Sequence, residues 1–97
     1  MTDRTNLDDP TETPAADLFE GDPRTVRLRL DAGEELPGHR HPGTTVVCCL
    51  LAGELDLALD GETHALREGD VVRFDGDREI APRAVSDSTA LLVFVPE

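Results

Sequence analysis

The stretch that decides the fold is residues 33–53, which read GEELPGHRHPGTTVVCCLLAG. It contains two histidines separated by one residue, His39 and His41. Alternate side chains of an extended strand share a face, so both imidazoles are expected to point the same way while Arg40 points the other way. Two imidazoles on one face can chelate a single metal ion. The pattern therefore predicts a metal site, followed by a turn and an apolar strand.

This stretch resembles the first sequence motif of the cupin superfamily, G(x)5HxH(x)3-4E(x)6G. The opening glycine, both histidines and the closing glycine all stand at the motif's spacing. The motif's glutamate, which is the third metal ligand in that family, would fall at Val46, or at Thr45 with the shorter spacing. Neither side chain can replace a carboxylate, so the resemblance keeps the spacing but not the third ligand.

The second cupin motif, G(x)5PxG(x)2H(x)3N, resembles the segment that starts at Gly69. Its opening fits residues 69–74, and the positions of its proline, glycine, histidine and asparagine are then held by Asp75, Asp77, Ile80 and Ala84. The resemblance covers roughly residues 26–95 and implies an all-β fold, the cupin double-stranded β-helix or jelly-roll barrel. It also implies family activities such as dioxygenase and isomerase chemistry, which ordinarily rest on ligands that this chain lacks.

Hydrophobic alternation independently predicts an all-β sandwich or barrel of about eight short strands. Residues 24–30 alternate strictly, and so do residues 55–59, whereas no segment shows a helical period. Asp60-Gly61 is a strong signal for a two-residue hairpin turn. Such a turn would place Leu59 opposite Glu62, Leu57 opposite His64 and Leu55 opposite Leu66. Further strands are expected over residues 71–74, 80–85 and 89–95.

We expect one barrel domain over residues 19–97, preceded by a flexible arm over residues 1–18, whose polar composition offers little to bury. The strand over residues 44–52 is apolar on both faces. One face would pack on the opposite sheet, and the other is expected to pack on a second copy, which predicts a homodimer. The alternative is that the arm or a neighbouring strand covers this face.

Charge and cysteine content narrow the possible partners and the location. The net charge is −12, from 21 acidic side chains against nine arginines and no lysine. Such a surface repels nucleic acid and anionic membranes, and it resembles proteins adapted to high salt. Cys48 and Cys49 are adjacent and therefore poorly placed for a disulfide with each other. With no signal peptide and no long apolar run, a cytoplasmic protein is expected.

Several residues are candidates to complete a site around His39 and His41. Possible further metal ligands are Cys48, His64 and Asp77, the last within an acidic loop. The alternative interpretations are a buried small hydrophobe for Cys48, a half-buried strand residue for His64 and a solvated turn for Asp77. Three arginines are candidates to recognise a carboxylate or phosphate on a ligand: Arg40, Arg73 and Arg83. The alternative interpretation of each is surface pairing with the many carboxylates of this chain.

Two functions follow from these residues. In the first, the barrel holds a divalent ion (Zn, Ni, Mn or Fe) through His39 and His41, with water and one further side chain, and acts on or binds a small oxygen-rich molecule. In the second, the protein binds no metal and is a non-catalytic ligand-binding or sensor module in which the histidines are polar contacts. The sequence leaves open whether the protein is an enzyme.

Overall fold

The computed structural model describes residues 2–97 and contains eight antiparallel β-strands, with no helix in this range. The strands are β1 (Ala15–Asp17), β2 (Arg24–Leu30), β3 (Thr44–Ala52), β4 (Glu54–Leu59), β5 (Glu62–Arg67), β6 (Val71–Asp75), β7 (Ile80–Ala84) and β8 (Ser88–Pro96). Consistent with this, residues 2–97 offer no helix with the length and apolarity needed to span a membrane. The prediction of an all-β jelly roll is confirmed.

The strands form two sheets. The larger has the order β1-β2-β8-β3-β6, and the smaller has the order β5-β4-β7. Strands that are neighbours in a sheet are mostly distant in sequence, as for β2 with β8 and β3 with β8. This crossed connectivity is the jelly-roll arrangement, in which two antiparallel sheets enclose one core.

The core lies between the inner faces of the two sheets. Alternate residues of each long strand point inward, which explains why the apolar residues recur with a period of two. On β3 the inward residues are Val46, Cys48 and Leu50, each no more than 1% exposed. The smaller sheet contributes Leu55, Leu57 and Leu59, which are also 1% exposed. Burial of these apolar side chains is the main stabilising contribution.

The hairpin between β4 and β5 has the predicted register. Leu59 pairs with Glu62, Leu57 with His64 and Leu55 with Leu66. The two turn residues both have positive φ, 51° at Asp60 and 81° at Gly61. This conformation is the one that an Asp-Gly turn adopts at low cost, so local sequence was sufficient to determine the register.

The histidine segment differs from its prediction as a regular strand. Between β2 and β3 the chain forms only two isolated bridges, Glu35 with Arg83 and His39 with Ile80. Pro37 and Pro42 flank the histidines, and a proline has no N–H to donate to a sheet ladder, which interrupts regular pairing. The segment therefore runs alongside β7 without becoming part of the sheet. The eighth strand is instead β1, near the N-terminus.

The N-terminal arm packs on the larger sheet through Arg27. This side chain is 0% exposed, and its guanidinium donates hydrogen bonds to the carbonyl oxygens of Leu7, Pro10 (2.9 Å) and Glu12 (2.9 Å). Pairing of β1 with β2 adds a strand before the expected domain start at residue 19. The flexibility of the arm stays a prediction, and its residue 1 lies outside the described residues.

The outer face of the larger sheet is only partly covered. The side chains of Val47 and Cys49 on β3 are half-buried. Val71 is 64% exposed and Val95 is 43% exposed. β3 is therefore apolar on both faces, as expected, and the arm accounts for part of the cover that the outer face needs.

Candidate functional site

His39 and His41 lie side by side at one end of the barrel. The backbone of His39 exchanges two hydrogen bonds with Ile80, of 3.1 and 2.8 Å, and the backbone N–H of His41 donates to the carbonyl of Gly76 at 2.8 Å. The ring centroids are 4.7 Å apart, and the ring planes meet at 81°. The two imidazoles are therefore adjacent, as predicted, and they are held by backbone contacts from the β6–β7 loop and from the first residue of β7.

The two histidines border a small, mostly apolar inner cavity of about 70 Å³. The inner cavity is lined by Ala15, Arg24, Val26, Leu28, Leu36, His39, His41, Ile80, Pro82, Leu92 and Phe94. A shallower outer cavity of about 220 Å³ shares three of these residues, Arg24, His41 and Phe94. The two cavities therefore adjoin at these three side chains.

Arg24 is the functional candidate that sequence reasoning missed. Its Nε donates to Asp17 Oδ1 at 2.9 Å, and its guanidinium carbon lies 5.2 Å from the centroid of the Phe94 ring. The signal was present in the alternation of β2. Arg24 has the same parity as Val26 and Leu28, which point inward, so this arginine lies at the barrel end on the core-facing side.

The imidazoles have defined environments. The Nδ1 atom of His39 is 3.1 Å from the carbonyl oxygen of Pro37, a contact in which Nδ1–H donates and, in the neutral ring, Nε2 is left as the acceptor. The His41 ring lies 4.4 Å from the Phe94 ring centroid. Burial lowers the pKa of His41, and the neighbouring His39 and Arg24 lower it further. The lowered pKa favours the neutral form of His41.

The inner cavity differs in charge from four other cavities on the surface. Among residues 2–97, no aspartate or glutamate lines it, although the chain has 21 acidic residues. Four other cavities on the surface each include at least one acidic side chain. The polar groups at the inner cavity are one guanidinium and two imidazoles, so this site presents donors and lone pairs to a ligand but no carboxylate.

The residues present do not fit the four-ligand metal centre that the two motifs specify. Val46 and Ile80 stand at the third and fourth ligand positions and are 0% and 2% exposed, so both positions are filled by packed hydrocarbon. Within residues 2–97, no three His, Cys, Asp or Glu side chains are grouped closely enough to hold a metal ion. Only two protein ligands, His39 and His41, are brought together.

The further ligand candidates lie elsewhere. Cys48 is packed in the core, where burial, with a smaller contribution from Cys49, raises the pKa of its thiol to about 12. It is thus a protonated core residue rather than a thiolate. His64 lies on β5 with its Nε2 2.9 Å from Glu62 Oε1, in a geometry unsuited to a hydrogen bond. Asp77 is exposed in the β6–β7 loop, where its backbone N–H donates to Asp75.

The three arginines predicted to bind ligand are dispersed, and none lines the inner cavity. Arg40 lies 3.8 Å from Asp60 and donates weakly to the carbonyl of Asp77 at 3.4 Å. The Asp60 carboxylate accepts hydrogen bonds from neighbouring residues of the β6–β7 loop. The Glu79 N–H lowers the pKa of its carboxyl most, and Arg78 and Arg40 lower it further. Arg73 and Arg83 are exposed on β6 and β7 and form no ion pair within the described part of the chain.

Known structures share this architecture. An RmlC-like cupin from Desulfovibrio desulfuricans superposes with a TM-score of 0.84 at 23% identity, covering 99% of this chain and 98% of that one. The Cnp3 cupin domain of Schizosaccharomyces pombe gives 0.78 at 15% identity, with 86% and 64% covered. A predicted oxalate decarboxylase from Thermotoga maritima gives 0.70 at 22% identity, with 76% and 66% covered. The chain thus spans just under two thirds of these last two proteins.

The remaining comparisons concern sequence. A search of curated proteins found no match. The family model described as a cupin domain matches residues 26–96, which is close to the range that the two motifs indicated. The match includes both histidines and most of the inner-cavity lining. On this basis, the chain belongs to the cupin family.

Proposed function

We propose that this cupin binds a small oxygen-bearing molecule in the inner cavity and requires no resident metal ion to do so. The observation that carries the proposal is the composition of the site, in which Arg24, His39 and His41 border walls that are otherwise hydrocarbon. Ligand sites in proteins typically combine apolar walls with a few polar groups that orient the ligand. The hydrocarbon at the two missing ligand positions supports binding without metal.

The polar groups define what the ligand must offer. The terminal nitrogens of Arg24 are donors, because its Nε is already used by Asp17. The Nδ1–H of His39 donates to the Pro37 carbonyl, so in the neutral ring the Nε2 atom is the free acceptor. An oxygen atom is suited to the first group and a hydroxyl to the second. We assign no reaction to the site, since no nucleophile or carboxylate lines the inner cavity in the described range.

Methyl NMR tests this proposal directly. The chelator-treated protein, with labelled Val, Leu and Ile methyls, is titrated with short alcohols, amides and carboxylates. Saturable shifts at Val26, Leu28 and Ile80, abolished by Leu36→Phe, are the expected result. Leu36 lines the inner cavity and is only partly buried, so a larger side chain there can fill the space. If no compound produces saturable shifts at these methyls, the proposal is wrong.

Divalent-metal binding through His39 and His41 is the second candidate. The observation in its favour is the His39 Nδ1 contact with the Pro37 carbonyl, because metal-binding histidines commonly donate their other N–H in this way. The test is elemental mass spectrometry of the untagged protein after exposure to Zn, Ni, Mn and Fe(II), beside the double variant His39→Ala, His41→Ala. A stoichiometric ion that is lost in the variant supports this candidate, and equal trace metal in both proteins removes it.

We also propose a homodimer formed through the outer face of the larger sheet. This is supported by the exposure of Val71 and Val95 beside half-buried Val47 and Cys49. A cytoplasmic location is likewise proposed, and the two free cysteines support it because reducing compartments keep thiols unpaired.

A further inference from the structure

We infer that the ligand of the inner cavity is a short-chain carboxylate whose charge is recognised by Arg24. This inference rests on the proposed function and identifies the ligand class of the same site. It is suggested by the position of Arg24, His41 and Phe94, which line both the inner and the outer cavity. A molecule at this junction has its head group beside Arg24 and its tail in the inner cavity.

The guanidinium of Arg24 is oriented and incompletely used. Asp17 accepts a hydrogen bond from Nε at 2.9 Å, and the group lies over the Phe94 ring at 5.2 Å from its centroid. A guanidinium carries five N–H donors, so the two terminal nitrogens keep theirs. Because these donors form a planar fork, they match the two oxygens of a carboxylate better than a single carbonyl.

The size of the inner cavity limits the tail. An apolar cavity of about 150 Å³ is large enough for benzene. The inner cavity measures about 70 Å³, close to half of that, and its walls include Val26, Leu28 and Ile80. A tail of about two or three carbons fits this space by comparison with the benzene-sized cavity. Propionate and butyrate are therefore the matching probes.

Two carboxylates near Arg24 oppose an anion: Asp17, which already pairs with Arg24, and Asp22, whose removal provides a sharp test. Asp22 lines the outer cavity together with Arg24 and His41. If the head group is negative, removing the Asp22 charge must tighten binding, because two like charges no longer share the space. If the head group is neutral, the same change has little effect on affinity. The response to Asp22→Asn therefore depends on the charge of the ligand.

The experiment is a calorimetric and NMR titration of the full chain with butyrate, butyramide, 1-butanol and inorganic phosphate. Butyrate is expected to bind at least about tenfold more tightly than butyramide. Arg24→Gln is expected to weaken butyrate binding by at least about tenfold. Asp22→Asn is expected to strengthen butyrate binding. The matched control is Arg67→Gln, because Arg67 is exposed on β5 and lines neither cavity. Thermal unfolding verifies that each variant is folded.

The outcomes separate this inference from the proposed function. Equal binding of butyrate and butyramide, or no effect of Arg24→Gln on butyrate, overturns the carboxylate inference while leaving the proposed function in place. Phosphate binding as tight as butyrate binding also overturns it, because phosphate has no tail for the inner cavity. If none of the four compounds binds, both the inference and the proposed function are wrong.

Discussion

Replacing Arg27 with leucine tests how the N-terminal arm is attached to the barrel. The side chain is fully buried, and its guanidinium donates to three arm carbonyls, those of Leu7, Pro10 and Glu12. The Nε atom of Arg27 has no hydrogen-bond partner among the described residues, and the Arg27 guanidinium forms no ion pair with any of them. Arg27→Leu keeps much of the apolar stem and removes all three bonds, so it isolates the contribution of the guanidinium.

The magnitude follows from the count of bonds and from what the arm can do in response. A hydrogen bond to a charged group contributes about 1.5–3 kcal/mol, so three such bonds set a ceiling of several kcal/mol. The substitution also relieves the cost of burying an uncompensated charge, which offsets part of that loss. Moreover, the arm can detach and return its carbonyls to water. We expect the free energy of unfolding to fall by about 2–4 kcal/mol.

Urea denaturation measures the stability, and amide hydrogen exchange over residues 6–14 measures attachment of the arm. The comparison variant is Arg29→Leu, which removes only a partly exposed ion pair with Asp8 of the arm, so the difference between the two variants reports the buried guanidinium. That variant is expected to lose no more than about 1 kcal/mol. If Arg27→Leu changed stability by less than the control and left exchange in the arm unaltered, the role assigned to Arg27 would be refuted.

The consequence of arm attachment extends to the inner cavity. β1 follows the arm directly and supplies Ala15 to the cavity lining and Asp17 to the contact with Arg24. Detachment of the arm that spreads into β1 therefore removes the acceptor that orients Arg24. We expect Arg27→Leu to weaken ligand binding more than Arg29→Leu does, although neither residue lines the inner cavity.

Three further predictions concern the thiols, salt and assembly. Between pH 9 and 12, stability is expected to fall as pH rises, because the unfolded Cys48 thiol loses its proton before the buried one, whose pKa is about 12. Cys48→Val should flatten this fall in pH-dependent unfolding, and few other groups titrate there because the chain has no lysine or tyrosine. The thermal midpoint is expected to rise with added KCl, as the surface carries a net charge of −12, and a constant midpoint would contradict a high-salt adaptation. Val71→Glu should convert a dimer to a monomer in analytical ultracentrifugation, and a parent that is already monomeric would remove the dimer proposal.

Local sequence patterns predicted much of the fold because the interactions concerned are local. The Asp60-Gly61 turn determined the β4–β5 register, and alternation identified the inward residues of β2 and β4. The histidine spacing likewise predicted that the His39 and His41 rings lie together, and their centroids are 4.7 Å apart. In each case the relevant residues lie within a few positions of one another in the chain.

The remainder depended on contacts between distant parts of the chain. Arg27 has the parity of a solvent-facing residue, but the arm, some twenty residues earlier, covers it completely. Parity placed Arg24 on the inner face, yet its position at the barrel end follows only from the pairing of β2 with β8. Cys48 shares the inward face of Val46, as expected, but its distance from the histidines depends on how the sheets pack.

The most direct test of the account is to measure ligand binding with and without metal on the same preparation. The protein is stripped with chelator, its metal content is verified by elemental mass spectrometry, and butyrate and butyramide are titrated while the His39 and His41 ring resonances are followed. We predict saturable binding by the metal-free protein, with an affinity unchanged by subsequent addition of Zn, Ni, Mn or Fe(II). Binding that arises only after uptake of one metal ion per chain would contradict the account and establish the metal-centred function instead.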